Sequence, residues 1–122
     1  MGKRVLLIED EPNIVTAISF LLTRDGWDVR THDNGADAVE VIHAARPDLV
    51  ILDMMLPGRT GLEILRALRA EPGTAALPVL MLTARGQTHD RALAESSGAS
   101  RFMAKPFSNT EVLASVREMV GP

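Results

Sequence analysis

The chain has no cysteine, which excludes a disulfide framework, a cysteine-ligated zinc finger and a thiol nucleophile. Aromatic residues are nearly as scarce. Phe20, Trp27, Phe102 and Phe107 make up 3% of the sequence, too few for a base-stacking platform. Charge of one sign never gathers into a block: thirteen basic residues stand against sixteen acidic ones, for a formal net charge of −3. That balance argues against a nucleic-acid surface or a membrane patch. No apolar run approaches the ~20 residues of a spanning helix, and nothing resembles a secretory leader. These absences leave the expectation of a soluble, cytoplasmic protein that binds neither membrane nor nucleic acid directly. Its 122 residues suit one domain over 1–122, long enough to bury roughly two-thirds of the surface that its unfolded form exposes.

Two kinds of segment alternate along the chain. Short apolar runs at Val5–Ile8, Leu49–Leu52 and Val79–Leu82, with weaker ones at Trp27–Thr31 and Phe102–Ala104, fit strands covered on both faces. Between them the apolar residues recur at helical spacing. Ile14, Ala17, Ile18, Leu21 and Leu22 mark one helix, Ala36, Val39, Ile42 and His43 a second, and Leu62, Ile64, Leu65 and Leu68 a third. Val112, Val116, Met119 and Val120 mark the last. A poorer candidate around Thr88–Ser97 has Leu93 as its one large apolar residue. Pro12 suits a first helical turn, and Gly26, Pro47, Pro72 and Gly98 fall where helices should stop. Five β–α units in succession predict an open parallel sheet with helices on both faces.

Ligands of such a sheet bind beyond the carboxyl ends of its strands. Glu9, Asp10 and Glu11 follow the first apolar run, Asp53 the third, Thr83 the fourth and Lys105 the fifth. Taken singly, each has an ordinary reading as a helix cap, a turn residue or a solvated charge. Together they do not. Two like unit charges ~4 Å apart cost about 4 kcal/mol at an effective dielectric of about 20, so gathered carboxylates call for a cation. Oxygen-only ligands in an incomplete cage favour Mg²⁺, which keeps waters and accepts phosphate oxygens. Lys105 can place a charge, and Thr83 a hydroxyl, on a phosphoryl group. The nucleophile is then a carboxylate, and attack by Asp53 on phosphorus gives an aspartyl phosphate.

These residues resemble the receiver domain of bacterial two-component response regulators, in particular the receivers of the winged-helix DNA-binding subfamily. The family's motifs stand here as Leu6-Leu7-Ile8-Glu9-Asp10-Glu11, Leu52-Asp53-Met54-Met55-Leu56-Pro57-Gly58, Leu82-Thr83-Ala84 and Lys105-Pro106-Phe107, and the likeness runs from Lys3 to about Val120. It implies a flavodoxin-like, doubly wound (βα)5 three-layer sandwich with strand order 2-1-3-4-5, an order known for this family. It also implies that Asp53 is the phosphoacceptor and that Thr83 and Lys105 assist it. Thr83, Ala84, Lys105 and Met54 would bind phosphate. Glu9, Asp10, Asp53 and the main-chain carbonyl of Met55 would hold Mg²⁺, with Glu9 reaching the metal through water. Thr83 and Phe102 would form the switch, and the Lys105–Pro106 peptide would be cis. The implied donor is a sensor histidine kinase or a histidine phosphotransfer protein. Output would go to an effector domain or a homodimer through the helix 4–strand 5–helix 5 face, counted in chain order.

The chain departs from the family at that output face. Ser96, Ser97, Ser100 and Arg101, opposite Ser115, replace charges that pair across the subfamily's dimer, while Arg91 and Glu111 persist. Rival readings each miss a residue. A haloacid-dehalogenase-type phosphatase needs an acid where Met55 stands, and an FMN carrier would meet repulsion from Glu9-Asp10-Glu11. A pseudo-receiver acting only as a binding module would normally lack Asp53, Lys105 or another acid, and all are present. Gly58 and Gly61 lack the lysine of a phosphate loop and are expected to shape the turn into the third helix.

Overall fold

The computed structural model describes residues 3–83, 92–93 and 95–120. Five parallel strands, β1 (Arg4–Ile8), β2 (Asp28–His32), β3 (Leu49–Asp53), β4 (Val79–Thr83) and β5 (Arg101–Ala104), form one sheet in the order β2-β1-β3-β4-β5. They alternate with helices α1 (Pro12–Arg24), α2 (Ala38–Ala45) and α3 (Gly61–Ala70), and the chain's C-terminal helix covers Asn109–Val120. Residues 92–93 and 95–96 are helical within the segment predicted around Thr88–Ser97. Of the residues singled out above, Ala84, Thr88 and Arg91 lie outside the described residues.

Alternation along each strand sends side chains to two separate cores. Leu6, Ile8, Val50, Leu52, Val79 and Met81 pack with Ala38 and Ile42 of α2 and Ile64, Leu65 and Leu68 of α3. Val5, Leu7, Leu49, Ile51, Leu80 and Leu82 pack on the other face with Ile18 and Leu22 of α1 and Val112 and Val116 of the C-terminal helix. Full burial of each such side chain stabilises by ~1.5–3 kcal/mol. The result is the three-layer, doubly wound fold that the pattern predicts.

Local chemistry sets the element ends. Glu11 is the N-cap of α1, its carboxylate accepting from the Asn13 N–H at 3.3 Å with Pro12 in the first turn. Glu11 thus does what the ordinary reading of an acid at a helix start predicts. Thr60 and Glu63 form a capping box on α3, and Ser108 and Glu111 exchange the same pair of bonds, each 3.1 Å, at the C-terminal helix. Several boundaries differ from expectation by a residue or two. β2 runs from Asp28 to His32 because the Trp27 N–H still closes the end of α1 on the Leu22 carbonyl. Helix α2 starts at Ala38 rather than Ala36, because the Ala36 N–H goes to Asn34 Oδ1 and the Gly35 N–H to the Pro57 carbonyl. His43, expected on the apolar stripe of α2, is exposed and pairs with Glu71 at 3.1 Å.

Candidate functional site

Asp53 and Thr83 are the last residues of β3 and β4, and both are buried. Two further elements bring their loops to the same end of the sheet: Glu9 and Asp10 follow β1, and Lys105 follows β5. One carboxylate oxygen each from Glu9, Asp10 and Asp53 lies within 4.8 Å of the others. Lys105 Nζ stands 3.1 Å from Glu9 Oε1 and 3.1 Å from Asp53 Oδ1. Of the residues that the spacing predicted to converge, Glu9, Asp10, Asp53 and Lys105 come together, Thr83 ends the neighbouring strand and Glu11 caps α1.

Glu9 is 0% exposed. Its Oε2 accepts the N–H groups of Asp10 and Glu11, each at 3.0 Å, which turns the start of the β1–α1 loop around the carboxylate. Burial raises the Glu9 carboxyl above its ordinary value, and the Asp53 charge adds to this, while the Glu11 N–H and Lys105 oppose it. Burial alone would lower the Lys105 ammonium. The Asp53 charge and the bonds to Asp53 and Glu9 outweigh it, and Lys105 is held above the usual lysine value. The Glu9–Lys105 contact has no signal in sequence spacing, because it joins the first strand to the last.

The Lys105–Pro106 peptide is cis, and the Lys105 N–H donates to the Thr83 carbonyl at 2.8 Å. Thr83 Oγ1 is buried with no hydrogen-bond partner among the described residues. A hydroxyl in that state has an unused donor at the edge of an acidic, lysine-lined crevice, which fits an oxyanion. Met54 needs correction. Its N–H donates to the Leu82 carbonyl at 3.1 Å and its side chain is buried, so that N–H is not available to a phosphoryl oxygen. The main-chain donor that faces Asp53 is the Met55 N–H, 3.4 Å from Oδ1. The Met55 side chain is 71% exposed. Phe102 lies half-buried on β5 against the α2–α3 core, beside Met81 in the sheet register. Sequence reasoning missed His32, whose ring bonds Asp37 at 2.7 Å and lines a crevice of about 430 Å³ with Glu9, Asp10 and Asp33.

A doubly wound sheet with a buried strand-end aspartate, a strand-end hydroxyl and a lysine bridging two acids defines an α/β domain whose strand ends gather three carboxylates that could hold a metal ion. The comparisons with known proteins carry this further. The response regulator receiver domain family matches residues 5–117. The chain is 38% identical over 96% of its length to the DNA-binding response regulator MtrA of Mycolicibacterium smegmatis, and 39% identical over 98% to the transcriptional regulatory protein PhoP of Bacillus subtilis, which is named for alkaline phosphatase synthesis. It covers 50% and 49% of those proteins, so it spans about half the length of the curated relatives it matches. Among solved structures, the receiver domain of the sensor histidine kinase PA1611 from Pseudomonas aeruginosa superposes with a TM-score of 0.90 at 30% identity, covering 100% of both chains. That structure holds a magnesium ion in its active-site cleft.

The chain belongs to the response regulator receiver domain family. It is thus a receiver module of the kind found in response regulators. Among the described residues no helix is long and apolar enough to cross a membrane.

Proposed function

We propose that Asp53 is the phosphoacceptor, taking a phosphoryl group from the phosphohistidine of a sensor histidine kinase or a histidine phosphotransfer protein. One observation carries the reading: Lys105 Nζ lies 3.1 Å from the buried Asp53 carboxylate, beside the two other acids. An Asp53 carboxylate oxygen attacks phosphorus, an O–P bond forms and the P–N bond breaks. The released electron pair stays on the imidazole nitrogen, which takes up a proton. Lys105 neutralises charge on the transferring group, and the free Thr83 hydroxyl and the Met55 N–H donate to its oxygens. Ala84 follows Thr83 as a further phosphate-binding residue.

Glu9, Asp10, Asp53 and the Met55 carbonyl are the ligand set for Mg²⁺. An all-oxygen set with carboxylates gathered within 4.8 Å fits a hard cation. When bound, Mg²⁺ supplies positive charge that offsets the acids and steadies the phosphoryl oxygens. Glu9 Oε2 is held by main-chain N–H groups, while Oε1 is ion-paired with Lys105 at 3.1 Å but makes no hydrogen bond among the described residues. Glu9 would reach the metal through water.

Thr83 and Phe102 form the switch. Drawing the Thr83 hydroxyl toward a phosphoryl oxygen opens room for Phe102 to turn inward, so the modified protein favours a second packing. Output passes through the face around β5 and the C-terminal helix to an effector domain or a second copy. Incubation with a small acyl-phosphate donor, with and without Mg²⁺, tests the reading by intact mass. One phosphoryl group should be gained with Mg²⁺ and none by Asp53→Asn. Equal labelling of that variant would defeat it, and no labelling of the wild type would favour a non-phosphorylated interaction module.

A further inference from the structure

The β2–α2 loop supplies none of the acids, yet it touches both loops that do. On one side, the Glu9 N–H donates to the carbonyl of His32, the last residue of β2, at 3.0 Å, and Asp33 of the loop lines a crevice with Glu9 and Asp10. On the other, the Gly35 N–H donates to the Pro57 carbonyl at 2.8 Å. Between these contacts the turn is closed on itself by Asn34 Oδ1, which accepts the Ala36 N–H at 2.7 Å. The loop thus spans from the Glu9–Asp10 side of the crevice to the Asp53–Met55 side.

Its approach to the second side leaves no room for a side chain. A Cβ built on Gly35 would lie 2.0 Å from the Arg59 carbonyl oxygen and 3.0 Å from the Arg59 nitrogen. These are backbone atoms and cannot swing aside as a flexible side chain would. The segment so gripped, Pro57–Arg59, closes the loop that carries Met55. Its far end is gripped as tightly: the Gly61 N–H donates to the Met54 carbonyl at 3.0 Å, and a Cβ on Gly61 would lie 2.2 Å from the Asp53 carbonyl oxygen. Met55 therefore sits on a short span clamped at both ends, and Gly35 is the outer clamp.

We propose that Gly35 is a positioning residue for the acidic site: by letting the β2–α2 loop seat backbone to backbone on Pro57–Arg59, it fixes the Met55 carbonyl relative to Glu9, Asp10 and Asp53. The inference rests on the metal-site reading above and adds a residue that makes no contact with the metal. Any side chain at position 35 pushes Pro57–Arg59 away, and the carbonyl two residues upstream moves with it. Outer groups that orient metal ligands typically matter about 10–100-fold in metal affinity.

Mn²⁺ titration followed by water-proton relaxation, with Mg²⁺ in competition, tests this well below the unfolding temperature. Wild type should bind one Mn²⁺ that Mg²⁺ displaces, and Gly35→Ala should bind about tenfold more weakly. Two controls separate position from stability. Leu22→Ala, in the core of the opposite face, lowers the melting temperature yet should keep wild-type affinity. Gly73→Ala, where a Cβ meets nothing within 4 Å, should change neither. Asn34→Ala, which loosens the same turn and keeps the glycine, should weaken binding by a smaller factor. It decides the matter if Gly35→Ala cannot be recovered folded. Wild-type affinity in folded Gly35→Ala, or in Asn34→Ala when only that variant folds, would overturn the proposal. Equal weakening by Leu22→Ala would also overturn it. A wild type that binds no Mn²⁺ would instead defeat the metal-site reading, and this inference with it.

Discussion

The interior strands β3 and β4 and the two edge strands of the sheet are different materials. Every residue of β3 and β4 is buried, whereas β2 and β5 are half-buried or exposed along most of their length. Asp53 and Thr83 end the buried pair, Asp53 beside Leu82 and Thr83 beside Ala104 in the sheet register, and both side chains are buried. Lys105 and Phe102 belong to β5 and its exit, which has a sheet neighbour on one side only. The difference separates groups whose positions must not vary from groups that must respond. A nucleophile gains from a rigid element, while a reporter is drawn from the part of the fold with least to lose on moving.

The largest expected effect is all-or-none and belongs to the centre. Asp53→Asn should abolish labelling by an acyl phosphate, while Phe102→Ala at the edge should still be labelled. Intact mass after incubation with Mg²⁺ reads both. An unlabelled Phe102→Ala would break the division, because the edge would then be part of the chemistry.

Stability should divide the same way. Ile51→Ala removes a fully buried side chain from β3 and should cost about 2–5 kcal/mol, the range for a buried Ile cut to Ala. Val29→Ala on β2, half-buried beside the same core, should cost about 1 kcal/mol. Urea midpoints at equal m-values compare them directly. Similar losses for both would mean that the edge carries as much of the core as the centre does.

The same contrast decides what could be read without coordinates. The central strands announce themselves, because Leu49–Leu52 and Val79–Leu82 are unbroken apolar runs and only burial on both faces explains them. The site acids are legible for the same reason, since a carboxylate ending such a run has nowhere to go but the crevice. The edges are legible only to within a residue. Asp28-Val29-Arg30-Thr31-His32 mixes polar and apolar positions, and its start depends on where α1 releases the Trp27 N–H. Contacts between loops far apart in the chain leave no local pattern. Spacing could not place Lys105 against Glu9, could not seat Gly35 on Arg59, and could not tell that Met55 rather than Met54 turns its N–H toward Asp53.

Lys105 tests the seam between centre and edge. Lys105→Met leaves Glu9 and Asp53 facing each other without their shared cation. The loss should be about 2–3 kcal/mol at neutral pH without metal, less than for a wholly buried pair because the lysine is partly exposed. Its pH dependence follows from both partners. The Glu9 carboxyl is raised in the folded state, so its ionisation costs stability, and that cost is absent in acid and grows as pH rises through the raised value. The Lys105 ammonium is also raised, so its contribution is complete below the ordinary lysine value and is lost as pH climbs through the folded one. The difference between wild type and variant should therefore be smallest in acid, widest near neutrality and narrower again in strong alkali. Urea midpoints across pH check it, and a difference that widened in acid would reverse the assigned signs.

The smallest effect lies at the outer edge, where β5 meets the C-terminal helix. Arg101 Nη1 pairs there with Glu118 Oε2 within the same chain. The neighbouring serines are also engaged internally: Ser96 donates to the Leu93 carbonyl, Ser97 accepts from Arg66, and Ser100 accepts from the Val79 N–H and from Arg69. Side chains that in a dimer would reach across to a second copy are thus bonded at home. The Arg101–Glu118 pair is 39% and 58% exposed, so water and salt screen it, and such pairs contribute about 0–1 kcal/mol. A double-mutant cycle with Arg101→Ala and Glu118→Ala should return a coupling in that range, shrinking as salt is added. Breaking so weak a pair costs little, and among the described residues the serines of this face are already bonded within the chain. The phosphorylated protein should therefore associate only weakly through it, staying mainly monomeric in sedimentation at micromolar concentration. A tight symmetric dimer that Arg101→Ala dissolves would show that this edge is an interface after all, and that its charges exchange partners when Asp53 is modified.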